Sequence, residues 1–197
     1  MRGRQMVKRD PEIIAFPSAK HWGRWLAKNH KGSTGVWLRF FKKGSDVASV
    51  THAEALSIAL CYGWIDRQLK KHDAESWLHR FTPRRPKGVW SKRNRGLVEQ
   101  LTEAGKMRPA GLKEVAVAKA DGRWNKAYDS PSKMAVPDDF LKALSKDKKA
   151  RRVFETLNKA NTYAIAWRLQ TAKRPETREK RMKAVIEMLS QGKKFHP

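Results

Sequence analysis

The chain has 197 residues, of which 40% are hydrophobic and 32% charged, enough for one sizeable domain or one domain with a helical extension. Its 44 Lys and Arg residues against 19 Asp and Glu give a net charge of +25. We expect an anionic partner that screens the self-repulsion of the folded chain; the alternative is a basic proteome or the use of lysine for solubility. The single cysteine excludes an intrachain disulfide, and because no apolar run suits a signal peptide or a membrane span, we expect a cytoplasmic protein.

The N-terminal third predicts an arm, a helix and a strand in that order. Residues 1–15 mix basic and polar residues without periodicity, which predicts a mobile basic arm. Ser18 is a candidate N-cap for a helix that ends near Asn29. Trp22 and Leu26 fall on one face of that helix. The β-branched and aromatic run at 36–41 predicts a strand.

The next segment predicts a capped helix followed by a hairpin. Thr51 and Glu54 have the spacing of a capping box, in which each side chain satisfies a free amide of the other residue. Gly63 suits the position just after that helix. A strand is expected from Trp64 and another over residues 76–82, with a polar loop at residues 70–75 between them.

Helical signals dominate the remainder of the chain. Prolines interrupt regular structure after the second hairpin strand, and two helices follow. Four further helices are predicted between residues 137 and 192. The fold class is therefore α+β, with a small antiparallel sheet packed against helices in a domain at 16–136. A C-terminal helical subdomain is expected at 137–197.

The segment from Phe81 to Asn94 concentrates cations around two prolines. Arg84 and Arg85 lie between those prolines, and Ser91 is positioned to begin a helix. Prolines restrict the loop, and free amides at a helix N-terminus favour an anion, so this pattern predicts a phosphate, sulfate or carboxylate site. The alternative interpretation is a solvated basic loop whose tryptophan packs in the core.

A second basic cluster lies near the C-terminus. Arg174, Arg178 and Arg181 share one face of a predicted helix, which suits a polyanion but also an ion-paired surface helix. Together with Lys92 and Arg93 they form the predicted polyanion surface.

Most catalytic and cofactor motifs are missing from the sequence. Neither nucleotide-binding glycine pattern occurs, and no nucleophile-elbow serine is present. The six histidines lack metal-ligand spacing, so we expect no metal site and no cofactor. Cys61 suits a buried core thiol. Asp66 and Asp73 are the acids nearest the aromatic strands.

Several blocks of the chain resemble the YdeI/OmpD-associated family, also labelled bacteriocin-protection. They are ALCYGWID at 59–66, FTPRRP at 81–86, WSKRN at 90–94, GKMRPAGL at 105–112, AKADGRW at 118–124 and AKRPETR at 172–178. The chain departs from the pattern at Arg67 and Gly88, where a small residue and a serine are expected. The resemblance implies toxin protection or envelope association, and it transfers no reaction, cofactor or catalytic residue.

Our main hypothesis is a binding protein for an anionic small molecule or a polyanion. The predicted pocket consists of Trp64, Asp66, Arg80, Arg84, Arg85, Trp90, Ser91 and Asn94. The arginines would hold the anion, the two tryptophans would stack on a flat or apolar part, and Asp66 would orient an arginine.

Three alternatives remain open. One is an enzyme that uses Asp66 as acid or base in the same cleft. Another is nonspecific nucleic-acid binding through the basic surface. The third is an interaction protein that acts through the C-terminal helices. The sequence leaves the oligomeric state undetermined.

Overall fold

Within residues 11–129 and 133–197, which a computed structural model of the chain describes, eight helices accompany a four-stranded sheet. The strands are β1 (Ile13–Ala15), β2 (Val36–Phe41), β3 (Trp64–Lys71) and β4 (Ser76–Pro83). The helices are α1 (Ala19–Asn29), α2 (His52–Cys61), α3 (Lys92–Glu103), α4 (Pro109–Ala120), α5 (Asp138–Leu144), α6 (Lys148–Glu155), α7 (Lys159–Gln170) and α8 (Pro175–Ser190). The predicted α+β class is confirmed.

Two compact units make up the chain. The first extends to Gly88 and includes Asn94–Asn125, and the second comprises Val89–Arg93 and Lys126–Pro197. The short segment at 89–93 joins the second unit through backbone hydrogen bonds. The amide of Tyr128 donates to the carbonyl oxygen of Trp90 at 3.0 Å, and the amide of Lys92 donates to the carbonyl oxygen of Tyr128 at 2.8 Å.

The sheet of the first unit is mixed, with the strand order β1-β2-β4-β3. The pairs β2–β4 and β3–β4 are antiparallel as predicted, but β1 runs parallel to β2. Ile13–Ala15 therefore form a strand, although the sequence analysis assigned residues 11–15 to a mobile arm. A strand of three residues is too short to show the alternating pattern of a strand in the sequence. Its hydrogen-bonded pairing with β2 holds these residues in the extended conformation. The rest of the predicted arm, residues 1–10, lies outside the described part.

Two helices cover one face of the sheet and bury an aromatic core. Alternate β2 residues Val36, Leu38 and Phe40 are buried, as expected for a strand with one face against helices. Trp22 of α1 is fully buried, and its indole Nε1 donates to the carbonyl oxygen of Ala55 in α2 at 3.0 Å. This bond joins the two helices beneath the sheet.

Local capping places α2 where the sequence predicts it. The Thr51 hydroxyl accepts from the amide of Glu54, and the Glu54 carboxylate accepts from the amide of Thr51, so the predicted capping box is confirmed. Gly63 follows the helix with φ +73°, a left-handed conformation that favours glycine. The turn leads directly into β3, which continues to Lys71 and so takes the first two residues of the predicted loop.

The second unit is helical and has its own apolar core. Phe140 and Leu144 of α5 are buried with Ile165 of α7 and with Val185 and Leu189 of α8. Each of these helices contributes one apolar face, as the sequence spacing predicts. None of the helices in the described ranges is both long enough and apolar enough to cross a membrane.

Candidate functional site

An irregularity in the β3–β4 pair shapes the first candidate site. Asp66 pairs with Phe81 and Leu69 pairs with His79, so three steps along β3 match two steps along β4. Such a bulge redirects the side chains of the longer strand. As a result, the consecutive residues Arg67 and Gln68 both line one groove, instead of pointing to opposite sides of the sheet.

The groove, which we call the arginine groove, has a volume of about 380 Å³. Its lining residues come from the β3–β4 hairpin, from residues 83–86, which we call the proline loop, and from the segment before β2: Thr34, Arg67, Gln68, Arg80, Thr82, Pro83, Arg84, Arg85 and Pro86. Four of them are arginines. Among the described residues that line the groove, none carries a carboxyl group. The groove is within the size range of small-molecule sites, about 300–1,000 Å³.

The positive charges of the groove are not balanced by acidic side chains in its described lining. Partial burial, together with the charges of Arg85 and Arg80, lowers the pKa of Arg67. Within the described ranges, the arginines that form ion pairs lie elsewhere, and Arg67, Arg80 and Arg85 are not among them. The Nε atom of Arg80 is buried and has no hydrogen-bond partner in the described part of the chain. A bound anion would relieve both conditions.

The proline loop is anchored to the turn before β3. The amide of Arg84 donates to the carbonyl oxygen of Gly63 at 2.9 Å, and Trp64 pairs with Pro83 in the sheet. The Thr82 hydroxyl donates to the carbonyl oxygen of Pro83 at 3.0 Å. These contacts hold the backbone that carries the arginines, so the groove is organised before any ligand binds.

The two tryptophans of the predicted pocket have no exposed ring faces. Trp64 is 1% exposed, packs edge-on against Trp22 and Trp25, and donates its indole Nε1 to the carbonyl oxygen of His30. Trp90 is 2% exposed and belongs to the second unit. Both side chains stabilise cores, so neither can stack on a ligand as the sequence analysis expected. The site therefore consists of arginines without an aromatic platform.

The residues that follow Trp90 have separate surroundings. Ser91 forms an isolated parallel bridge with Tyr128, and the Lys92 ammonium pairs with Asp129 at 2.7 Å in the second unit. Arg93 is exposed, whereas Asn94 is half-buried and belongs to the first unit. Neither Ser91 nor Asn94 is among the described residues that line the arginine groove.

The predicted basic ridge on α8 is largely used for structure. Arg178 forms two hydrogen bonds with the carboxylate of Asp139, one of them at 2.8 Å. Arg181 donates to the carbonyl oxygen of Arg168 at 2.7 Å, while Arg174 is exposed at the helix start. Two of the three arginines therefore contact helices of their own unit, as in the alternative interpretation of an ion-paired helix.

A second cluster forms around Asp66, where the sequence analysis expected no metal ligands. The Asp66 carboxylate oxygen Oδ2 is 3.0 Å from Nε2 of His52 and 3.9 Å from Nε2 of His79. The two imidazole rings stack with centroids 4.5 Å apart. His79 and Arg80 are consecutive in β4 and so point to opposite faces of the sheet. Asp66 therefore orients a histidine and not an arginine.

The cluster lowers the pKa of two of its members, Asp66 and His79. Burial raises the pKa of Asp66, but the hydrogen bond from His52 and the nearby imidazoles outweigh it and hold that pKa below its usual value. Burial and the charge of His52 lower the pKa of His79, against the opposing effect of Asp66. A carboxylate with a lowered pKa is a weak base. A lowered pKa therefore gives no support to Asp66 as a general base at neutral pH.

A larger groove of about 680 Å³ lies beside α1 and α2 in the first unit. Its lining is mostly apolar and includes Ile58, Tyr62 and Leu101, with Arg24 and Arg108 among its cations. None of the predicted site residues lines it.

Sequence reasoning missed Arg67, His52 and His79 as site residues. For Arg67 a signal existed, because it departs from the family pattern directly after Gly63-Trp64-Ile65-Asp66. For the histidines the useful signal was positional. His52 is the first residue of the capped helix α2, and His79 alternates with large residues in β4. Both therefore lie where the helix packs against the sheet.

Comparison with known families matches two regions of the chain. Residues 14–114 match a family described as Domain of unknown function (DUF8412). Residues 133–192 match the family described as Bacteriocin-protection, YdeI or OmpD-Associated, which confirms the resemblance found in the sequence. No curated protein and no solved structure matches the chain.

Proposed function

We propose that this chain is an anion-binding protein. It belongs to the family described as Domain of unknown function (DUF8412), whose model matches residues 14–114, and its residues 133–192 match the model described as Bacteriocin-protection, YdeI or OmpD-Associated. Its ligand is a small molecule with a phosphate or carboxylate group, held in the arginine groove. The proposal depends on one observation. Four arginines line a single groove, and none of the described residues that line it has a carboxylate.

The chemistry of the lining favours an oxyanion. A guanidinium presents its N–H donors in a planar fork that matches two oxygens of a phosphate or a carboxylate. Thr34 and Gln68 add side chains that can donate further hydrogen bonds. Like charges at this density cost folding free energy, and an anion that bridges them offsets this cost. The anionic ligand would therefore supply the negative charge that no Asp or Glu supplies among the described residues of the groove lining.

Groove size distinguishes a small ligand from a polyanion. A cavity of about 380 Å³ suits one or two anionic groups with a small attached body. The net charge of +25 supports salt-sensitive attraction of any polyanion, but such attraction requires no particular groove. The proposal therefore predicts saturable binding of one small anion at physiological salt.

Calorimetric titration with pyrophosphate at physiological ionic strength tests this proposal. We expect one binding site, and about a tenfold or greater loss of affinity in the double variant Arg67→Gln, Arg85→Gln, because charged hydrogen bonds contribute about 1.5–3 kcal/mol each. Arg84 stays unchanged in this variant because it takes part in other interactions. The matched control is Lys148→Gln, Arg152→Gln, which removes two exposed cations from the second unit.

We call the double variant Arg67→Gln, Arg85→Gln the groove variant. Equal affinity of the parent and the groove variant for pyrophosphate would contradict the proposal. So would a parent chain that binds heparin or duplex DNA with a steep salt dependence and shows no saturable pyrophosphate site. Circular dichroism of each variant ensures that the comparison concerns folded proteins.

We extend the proposal to bacteriocin protection, which the description of the second family names. Bacteria expressing the chain should survive a bacteriocin challenge better than cells expressing the groove variant. Cells expressing the control variant should survive as well as those with the parent. Equal survival with the groove variant would separate the protective role from the arginine groove.

A further inference from the structure

We propose that His52, Asp66 and His79 bind a divalent transition-metal ion, with Zn²⁺ as the best-suited ion. These three residues belong to α2, β3 and β4, and one ligand atom from each lies within 4.8 Å of the other two. Two imidazoles and a carboxylate form a ligand set typical of zinc sites that keep a position open. None of the three residues lines the arginine groove.

The distances are close to those a metal requires. Zinc–ligand bonds of about 2.0–2.2 Å in a tetrahedron place neighbouring ligand atoms about 3.3 Å apart. The distances from Asp66 Oδ2 to the two Nε2 atoms, 3.0 Å and 3.9 Å, lie on either side of that value. Because an imidazole binds a metal in the plane of its ring, the stacked rings of His52 and His79 would have to turn out of parallel to coordinate one ion.

Each ligand is carried by a well-ordered element. His52 is the first residue of α2, immediately after the Thr51 capping residue. His79 lies in β4, which is bonded on both sides, by β2 and by β3. Asp66 lies two residues after the buried Trp64. Sites on helices and strands hold ligand geometry better than sites on loops.

The surroundings suit a metal as well as the ligands do. Phe40 and Phe81 pack near the His52 ring, with centroids 5.8 Å and 6.2 Å from it. An apolar wall excludes competing water from one side. The side chains of His52, Asp66 and His79 are 27%, 22% and 14% exposed, so solvent reaches the site. A water molecule or a ligand oxygen could take the remaining coordination position.

One buried atom of the cluster lacks a partner. The Nδ1 atom of His79 is buried and has no hydrogen bond within the described part of the chain. Coordination through Nε2 would place the proton on this nitrogen and would not supply the acceptor that it lacks.

Titration of the full chain with Co²⁺, followed by competition with Zn²⁺, tests the inference. We expect one equivalent of Co²⁺ to produce the visible absorption of a low-coordinate site, and one equivalent of Zn²⁺ to remove it. The variants His52→Gln, His79→Gln and Asp66→Asn should each weaken binding by about 100-fold or more, a larger loss than typical second-shell effects. His72→Gln, which changes an exposed histidine 3.8 Å from Asp73, is the matched control.

A second measurement needs no substituted chain and so is independent of whether the variants fold. In spectra of the parent with ¹⁵N-labelled histidine, Zn²⁺ should shift the imidazole signals of His52 and His79 and leave those of the other four histidines in place. Absence of one-to-one binding tighter than about 10 μM would overturn the inference. So would equal binding by His72→Gln and His79→Gln, or Zn²⁺ shifts confined to other histidines.

Discussion

Gly111 of α4 lies directly against the carbonyl oxygen of Cys61, the last residue of α2. A Cβ atom built at position 111 would overlap this oxygen, and it would also lie 2.8 Å from the carbonyl oxygen of Leu60. The neighbouring amide of Arg108 donates to the Cys61 oxygen at 3.1 Å. The start of α4 is therefore packed onto the end of α2 at a distance that only glycine permits.

Gly111→Ala should lower the free energy of unfolding by about 1–3 kcal/mol, because the added methyl group meets backbone and the helices must move apart. Chemical denaturation followed by circular dichroism measures the change. The matched control is Gly96→Ala in α3, where an added Cβ meets nothing within 4 Å. There alanine should stabilise the chain by about 0.5–1 kcal/mol through its higher helix propensity. Equal effects at the two positions would show that α2 and α4 are not in close contact.

Thr51→Ala should destabilise the protein by about 1 kcal/mol, since it removes the side-chain oxygen that accepts from the Glu54 amide. Ser18→Ala is the comparison, because Ser18 precedes α1 but makes no side-chain bond to the helix backbone. We expect the loss at Ser18 to be only a few tenths of a kcal/mol. Thermal and urea unfolding of both variants would check the difference, and a larger loss at Ser18 would contradict it.

The capping box should also make stability depend on pH. Hydrogen bonds from the Thr51 hydroxyl and from the Thr51 amide lower the pKa of Glu54 below its ordinary value of 4.5. The carboxylate therefore contributes stability that is fully present above about pH 4.5 and is lost as the pH falls through the lower, folded-state pKa.

Urea midpoints of the parent and of Glu54→Gln, measured between pH 3 and pH 6, isolate this contribution. The midpoint of the parent should fall more steeply toward low pH than that of the variant, which has no group to titrate at this position. Parallel pH profiles for the two proteins would show that the hydrogen bonds from Thr51 do not stabilise the Glu54 carboxylate.

Cys61 should react slowly with thiol reagents in the folded protein. The residue is 6% exposed, and burial raises the pKa of its thiol, although the charges of Arg108 and Lys106 oppose the shift. A raised pKa reduces the thiolate fraction at pH 8, and the thiolate is the reactive form. Reaction with Ellman's reagent at pH 8 should be at least about tenfold slower in the native state than in guanidinium chloride. Equal rates would indicate an accessible, activated thiol.

Local sequence determined much of this fold by itself. The capping box at Thr51, the left-handed turn at Gly63 and the apolar faces of the helices depend on residues a few positions apart. Their interactions form whenever the segment becomes helical or turns, so spacing alone predicts them. The α+β class follows from the same local signals, because strand and helix periodicities differ.

Only the tertiary structure decided which side chains meet. Arg67 joins Arg80 because a bulge shifts the β3–β4 register, and His52 reaches Asp66 because α2 packs on one particular face of the sheet. Trp64 and Trp90 became core residues for a similar reason, since burial depends on what covers a ring and not on its neighbours in the chain. Register and packing are set by the cooperative fit of segments distant in sequence, and a one-residue change in register reverses the face on which a strand side chain lies.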